Sequence, residues 1–179
     1  MKRSLVVIML STVLLSTAAF AQTAAEKTGI NSTFGIAPKT EDFIKEAAIS
    51  DMLEIDAAKI AQQKGNATEK TFSAQMITDH TKTSTELKGM VSGEMKSAIP
   101  TALDDSSQKK LDKLTNAKPE SFAGEYDPMQ VSAHKDAVSL FERYAKGGDD
   151  PKLKDWAGKT LPALQHHLEM AQDMNRNRK

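Results

Sequence analysis

The sequence contains no cysteine. This absence excludes disulfide bonds, thiol chemistry and lipid attachment through an N-terminal cysteine. The sequence also has no segment in which apolar and polar residues alternate with the period of two that a half-buried strand requires. We therefore expect an all-α protein without a sheet, stabilised by its hydrophobic core alone.

The chain also lacks an excess of charge of either sign. Its 24 basic residues balance its 24 acidic residues, and the only basic cluster is the C-terminal tail at residues 176–179. Because phosphate binding requires a clustered basic face, this balance argues against nucleic acid as a partner. We interpret the tail as a solvated segment that complements the negative end of the last helix.

Long apolar runs are absent except near the N-terminus. A positively charged start precedes an apolar run at residues 5–15, and residues 19–21 form a small-x-small cleavage motif. The run has about half of the roughly 20 residues that a membrane-spanning helix needs, which favours a cleaved signal peptide at residues 1–21 over an uncleaved anchor. We expect a protein that is exported to the periplasm, begins at Gln22 and has no transmembrane segment in its mature chain.

The chain after residue 21 divides into a leader, one domain and the basic tail. Residues 22–39 have no helical periodicity and are predicted to be a flexible leader. Residues 40–175 are helical in pattern throughout and suit one domain, which we predict to be a four-helix bundle. The connection between the second and third helices is long and is predicted to contain a short extra helix, so it can cross the bundle.

Four helices are predicted from apolar residues that recur at spacings of three and four. The first begins with Thr40 as its N-cap, and the fourth begins with Asp150 as its N-cap and Pro151 at the first helical position. The approximate predicted ranges are residues 40–64, 67–99, 119–146 and 151–175.

Glycine and proline are expected to disturb three of these helices. Gly89 and Gly93 weaken the last third of the second helix, where we expect a bend. Pro128 is predicted to kink or restart the third helix, with Asp127 as a local cap. Pro162 is predicted to kink the fourth helix.

Three of the four histidines lie on the apolar faces of the predicted helices. His80, His134 and His167 continue these faces and are expected to point inward, whereas His166 is rotated by about 100° toward solvent. Counted from the two predicted turns, His80 and His134 each lie about fifteen residues, roughly 22 Å, along the bundle. His167 lies within about one helical pitch of that level, so the three rings are expected to converge.

Carboxylates are predicted at the same level as the inward histidines. Asp51 and Glu54 of the first helix fall at the height of His80, and Asp79 is adjacent to that histidine in sequence. Converging imidazoles and carboxylates are typical of sites for iron, zinc, manganese or copper. The alternative is that each histidine is only hydrogen-bonded to a neighbouring acceptor. The predicted metal-site residues are His80, His134, His167, Glu54, Asp51 and Asp79.

Other cofactors and activities are less well supported by the sequence. The Glu-x-x-His pattern of carboxylate-bridged di-iron oxidases is absent, so an enzyme is not favoured. Met170 and Met174 share a face with His167, which would suit copper(I), although flexible core filling is the commoner role of methionine. Two facing imidazoles could also ligate a haem. The residues three positions before the histidines are Ile77, Val131, Ala163 and Leu164.

Four segments of the chain carry a resemblance to known proteins: FIKEAAISDMLEIDAAKIAQQK, FSAQMITDHTKTSTELK, VSAHKDAVSLFERYAK and LKDWAGKTLPALQHHLEMA. They resemble a large bacterial family of exported ferritin-like helical bundles, a domain of unknown function whose members are often labelled outer membrane proteins. Matched to that family, its Asp-His pair falls on Asp79 and His80, and its later histidines fall on His134 and His167. The resemblance covers about residues 41 to 174.

The resemblance implies a ferritin-like fold and an exported location associated with the outer membrane, but it implies no established reaction. The chain departs from the family pattern at Asp127 and Pro128, where a continuous helix is usual. Our leading hypothesis is a periplasmic binding or sensing bundle that holds a metal ion. The alternative is a structural or protein-interaction module of the cell envelope without a cofactor, and an enzyme comes third.

Overall fold

The computed structural model describes residue 26 and residues 29–178 of the chain. Over these residues the protein is helical and has no strand, which confirms the all-α prediction. The predicted signal peptide at residues 1–21 lies outside the described residues. None of the described helices is both long enough and apolar enough to cross a membrane.

Five helices of more than ten residues follow a single helical turn at Ile30–Thr33. A short 3-10 helix lies between the second and third of them, at Gly93–Ala98. The five helices are α1 (Thr40–Lys64), α2 (Ala67–Met90), α3 (Asp105–Asn116), α4 (Pro119–Gly147) and α5 (Pro151–Arg176).

The four long helices pack in a closed ring. Helix α1 contacts α2 and α4, and α5 contacts the same two helices from the other side. Because the α1–α2 and α4–α5 connections are only two or three residues long, each pair is antiparallel. Helix α3 contacts α1 and α4, as expected of a long connection that crosses from α2 to α4.

Two apolar clusters fill the two ends of this ring. In the first, Phe43 stacks on Tyr144 with ring centroids 3.9 Å apart. The second is built around Phe72 and Tyr126, whose rings meet edge to face at 6.3 Å. A polar layer separates the clusters, and every long helix contributes buried polar residues to it. They include Asp51, His80, His134 and His167.

The predicted starts of α1 and α5 are confirmed to within one residue. Asp150 caps α5, since its Oδ1 atom accepts a hydrogen bond from the Leu153 amide at 2.9 Å. Thr40, however, is the first residue of α1 and not its N-cap. Its hydroxyl is instead 2.6 Å from the hydroxyl of Tyr144, so it ties the start of α1 to the end of α4.

The prediction that α2 continues to about Ile99 was wrong. The helix ends at Met90, and Val91 occupies the C-cap position in an extended conformation. Gly93 then adopts a φ of +61°, a left-handed conformation that an α-helix cannot contain. The chain resumes only as a 3-10 helix, so α2 ends just before this glycine, in the region where we had predicted a bend.

The restart of α4 at Pro128 was also wrong, because α4 is continuous from Pro119 to Gly147. Pro128 and Gly124 are both exposed, so the Gly124 carbonyl that loses its helical partner can bind water. Asp127 does not act as a cap, since its Oδ1 atom has no partner within the described part of the chain. Helix α5 likewise continues through Pro162.

The described part of the predicted leader contacts α4. The guanidinium group of Arg143 lies 2.5 Å from a carboxylate oxygen of Glu26, and both side chains are 8% exposed. The same group donates a hydrogen bond to the Ile36 carbonyl at 2.7 Å, and Asn31 is buried. This arginine therefore joins the N-terminal segment to the bundle.

Candidate metal centre

Three histidines from three different helices meet in the polar layer. His80 on α2, His134 on α4 and His167 on α5 are each no more than 2% exposed. Their ring centroids are 5.5, 5.6 and 5.7 Å apart, and one ring nitrogen of each lies within 4.8 Å of the other two. The predicted convergence of the rings is confirmed, and His166 is exposed as predicted.

Each ring uses one nitrogen for a hydrogen bond to a neighbouring acceptor. The Nδ1 atom of His80 is 2.9 Å from Oδ1 of Asp51, and Nδ1 of His134 is 3.0 Å from the Gln130 carbonyl oxygen. The Nε2 atom of His167 is 2.8 Å from Oδ2 of Asp79. Because an ionised carboxylate and a carbonyl only accept, these three nitrogens carry the ring protons.

The other nitrogen of each ring faces the cluster, and we call these three atoms the inner nitrogens. They are Nε2 of His80, Nε2 of His134 and Nδ1 of His167, and none has a hydrogen-bond partner within the described residues. A neutral imidazole has a lone pair on its unprotonated nitrogen. When all three rings are neutral, their lone pairs are therefore available in one small, buried space, which is the arrangement that a metal ion needs.

The three predicted carboxylates occupy different positions around the rings. Asp51 and Asp79 accept hydrogen bonds from the other ring nitrogens of His80 and His167, which we call outer nitrogens. These two carboxylates therefore lie on the sides of the histidines that face away from the cluster. Glu54 is 1% exposed, and neither of its carboxylate oxygens has a partner in the part of the chain that the structure describes. Glu54 is therefore the one of the three that is not held by a histidine, but none of the three carboxylates belongs to the group of atoms within 4.8 Å that the histidines form.

Burial keeps two of the histidines neutral. Together with the charge of the neighbouring His80, it lowers the pKa of His134 to about 3. Burial also lowers the pKa of His167 to about 4, although the hydrogen bond to Asp79 opposes this effect. Both rings are thus in the neutral form, which is the form that binds metals.

His80 differs because it lies nearest to negative charge. Burial alone would lower its pKa, but the hydrogen bond to Asp51 and the charges of Glu54 and Asp51 raise the pKa above its usual value. Burial raises the pKa of Asp51 and of Glu54, and His80 opposes that shift in both. A raised pKa favours the protonated form of His80, in which Nε2 also carries a proton, so an ion would have to displace that proton before it could bind Nε2.

Two residues beside the site were missed in the sequence. Gln130 and Tyr126 are completely buried, and the Gln130 side-chain amide and the Tyr126 hydroxyl have no partner among the residues described. They lie four and eight residues before His134, so they share its inward face. That spacing was the available signal, but amides and phenols do not by themselves suggest a metal.

The alternative cofactors fit the structure less well. Met170 and Met174 pack in the second apolar cluster, so their placement does not set them apart from ordinary core methionines. For haem, two imidazoles must lie on opposite faces of a macrocycle. In this cluster the third ring, about 5.5 Å from the others, occupies the space that the macrocycle would need.

A cleft of about 1000 Å³ lies between α1, α3 and α4. Its lining includes Leu53 and Ala133, which immediately precede Glu54 and His134 in the sequence. The lining carries both acidic and basic side chains, and the three inward histidines do not contribute to it. The cleft therefore approaches the polar layer from outside without opening it to solvent.

Comparison with known proteins gives one match. A family model described as "Domain of unknown function (DUF4142)" matches residues 19–174. No curated protein and no solved structure matches the chain. The matched range includes all three inward histidines and the three carboxylates around them.

Proposed function

The chain belongs to the family described as a domain of unknown function (DUF4142), and we propose that it is an exported, ferritin-like four-helix bundle that binds one divalent transition-metal ion. The inner nitrogens of His80, His134 and His167 supply three ligands, and Glu54 supplies the fourth. The observation that carries this proposal is the convergence of three inner nitrogens that have no other partner within the described residues.

The energetic cost of the polar layer supports a bound ion. A buried polar atom without a hydrogen bond costs about 1–3 kcal/mol. The three inner nitrogens and the two Glu54 oxygens all bear this cost in a metal-free protein. A purely structural bundle would be more stable with apolar residues at these positions, whereas an ion would satisfy the three nitrogens and one Glu54 oxygen together.

The outer hydrogen bonds also resemble those of metal sites. A metal-binding histidine commonly donates its second N–H to a carboxylate or a backbone carbonyl, which fixes the orientation of the ring. Asp51, Asp79 and the Gln130 carbonyl accept these bonds at 2.8–3.0 Å. Histidines that were only hydrogen-bonded to neighbouring acceptors would make the same three bonds, so the inner nitrogens without partners among the described residues are what favours a metal.

The donor set restricts the ion. Three imidazoles and a carboxylate, without a thiolate, suit zinc, copper, iron or manganese. In a tetrahedral site an ion lies about 2.0–2.1 Å from each nitrogen, which places neighbouring nitrogens about 3.4 Å apart. One ring nitrogen of each histidine lies within 4.8 Å of the other two, so binding would draw the rings together by up to about 1.4 Å.

The fold and the location rest on separate arguments. Two antiparallel helix pairs joined by one long crossing connection are typical of ferritin-like bundles, and α1–α2 and α4–α5 form such pairs on either side of α3. Export rests on the predicted signal peptide. Association with the envelope is the alternative function, and it remains if no metal binds.

The proposal is tested with mature protein, residues 22–179, purified without a histidine tag. We expect elemental analysis after incubation with each ion to find one zinc, copper, iron or manganese ion per chain. His80→Ala and His134→Ala should abolish this binding, whereas His166→Ala, which removes an exposed histidine next to the site, should retain it. Protein that takes up none of the four ions would overturn the proposal and leave the structural module.

A further inference from the structure

Five buried polar atoms lie beside the histidines on one side of the layer. They belong to Glu54, Gln130 and Tyr126, each of which is no more than 1% exposed. Within the described chain none of the five makes a hydrogen bond of ordinary geometry: both oxygens of Glu54, both side-chain polar atoms of Gln130 and the hydroxyl of Tyr126. So many unsatisfied atoms in one region need an explanation.

The helix register places these residues on the same side of the histidine layer. The start of α1 contacts the end of α4 through Thr40 and Tyr144, so the two helices run in opposite directions. Glu54 lies three residues after Asp51, toward the end of α1, and Gln130 lies before His134, toward the start of α4. Both are therefore displaced toward the same end of the bundle, by about one helical turn.

Gln130 links the carboxylate to a histidine. Its backbone carbonyl accepts the hydrogen bond from Nδ1 of His134. Its side chain is close enough to Glu54 to lower the pKa of that carboxyl group, which burial raises. Tyr126 precedes Gln130 by one turn on the same face of α4, and burial and the charge of Glu54 raise its pKa well above the usual value.

We infer that Gln130 and Tyr126 are positioning residues of the metal centre, which hold Glu54 in place as the fourth ligand. Glu54 binds the ion through one oxygen, and its other oxygen accepts a hydrogen bond from Nε2 of Gln130. The Tyr126 hydroxyl donates to Oε1 of Gln130. This arrangement gives each of the five atoms a partner, and it rests on the proposed function because the ion is what draws Glu54 into position.

The test compares metal-free and metal-loaded forms of two variants. Tyr126→Phe removes the hydroxyl, and Gln130→Met removes the amide with little change in volume. We expect each to weaken Zn²⁺ binding about 10–100-fold, the usual effect of losing a residue that orients a ligand. The visible absorption spectrum of the Co²⁺-loaded protein should also change, since it reports the geometry around the ion.

The metal-free proteins distinguish positioning from a merely structural role. Without metal, both variants should unfold at the same urea concentration as the wild type or higher, because each loses buried polar atoms that lack partners within the described chain. The matched control is Tyr144→Phe, since the Tyr144 hydroxyl already has Thr40 as a partner. It should lower the urea midpoint and leave Zn²⁺ affinity and the Co²⁺ spectrum unchanged.

Two outcomes would overturn the inference. One is a wild-type protein that binds Zn²⁺ while both variants retain its affinity and its Co²⁺ spectrum. The other is a loss of stability in the metal-free variants that equals the loss with metal. If the wild type itself binds no ion, the proposed function has failed, and the inference fails with it.

Discussion

The Nδ1 atom of His80 lies 2.9 Å from Oδ1 of Asp51, and both side chains are buried between the two apolar clusters. The same carboxylate oxygen accepts a hydrogen bond from the Thr83 hydroxyl at 2.7 Å. Two donors thus hold this oxygen in place, and the oxygen fixes the tautomer of His80. The lone pair on Nε2 of that ring is directed into the cluster as a result.

Asp51→Ala should therefore weaken metal binding without removing a ligand. The variant frees the His80 ring to rotate and to change tautomer, and we expect the dissociation constant for Zn²⁺ to rise about 10–100-fold. Competition titration against a chelator of known affinity measures the change. Asp56→Ala is the matched control, because Asp56 is an exposed carboxylate on the same helix that pairs with Lys59. Equal affinities for the two variants would contradict the role of Asp51.

Asp127 gives the protein a specific dependence on pH. Burial and the nearby Glu69 raise its pKa from 3.8 to about 6. Between about pH 4 and pH 6 the folded protein keeps a proton that the unfolded chain has lost, so the stability from this group falls as the pH rises through that range. Above pH 6 this loss of stability is complete, and it lowers the free energy of unfolding by about 1–3 kcal/mol.

Asp127→Asn removes this titration while keeping the shape of the side chain. We expect the variant and the wild type to have similar free energies of unfolding at pH 4, and the variant to be more stable by about 1–3 kcal/mol at pH 8. Urea unfolding across that pH range measures the difference. A difference that does not change with pH would show that Asp127 ionises normally.

The buried ion pair between Arg143 and Glu26 should be important for stability. Removing one partner of a buried pair leaves an uncompensated charge and costs about 3–5 kcal/mol. Glu26→Ala is therefore expected to lower the free energy of unfolding by about that amount, whereas Glu120→Ala, on the exposed first turn of α4, should have little effect. Equal effects of the two substitutions on urea unfolding would mean that the N-terminal segment adds nothing to the bundle.

The connection between α1 and α2 depends on a reciprocal cap. The Asn66 side chain accepts hydrogen bonds from the amides of Thr68 and Glu69 at 2.9 and 3.1 Å, and Glu69 accepts one from the Asn66 amide at 2.7 Å. Asn66→Ala should cost about 1 kcal/mol of stability. Asn66→Ser, which keeps an accepting oxygen without placing a second carboxylate beside Glu69, should lose less. If the two variants unfold at the same urea concentration, the cap does not stabilise α2.

The histidine cluster could be predicted because helical periodicity indicates the direction in which each side chain points. A spacing of three or four residues from neighbouring apolar positions is enough to point His80, His134 and His167 inward. Short connections then fix the height of each residue, since they make neighbouring helices antiparallel. The predicted direction and height of the three histidine side chains are enough to place them together, although they are far apart in the sequence.

The separate roles of the carboxylates could not be predicted in this way. Register fixes height to within about one turn, and Asp51 and Glu54 are less than one turn apart. Which of them reaches the outer nitrogen of His80 depends on ring orientation and on contacts such as the Thr83 hydroxyl. These are properties of packing, and the sequence pattern does not contain them.

Glycine and proline gave the least reliable predictions of helix ends. The apolar pattern continues past Met90, but Val91 is extended and Gly93 adopts a positive φ, so the chain does not return to α-helical geometry there. Pro128 has the opposite outcome, because an exposed carbonyl at Gly124 can bind water and the helix continues. Deciding between these outcomes requires the conformation of the glycine and the exposure of the carbonyl, and neither is visible in the residue type alone.

The most direct test of the metal centre is an anomalous difference map from crystals of the mature protein grown with Zn²⁺. The proposal predicts one strong peak per chain, about 2.0–2.1 Å from Nε2 of His80, Nε2 of His134 and Nδ1 of His167. No peak within the cluster, or peaks only at surface residues such as His166, would contradict it.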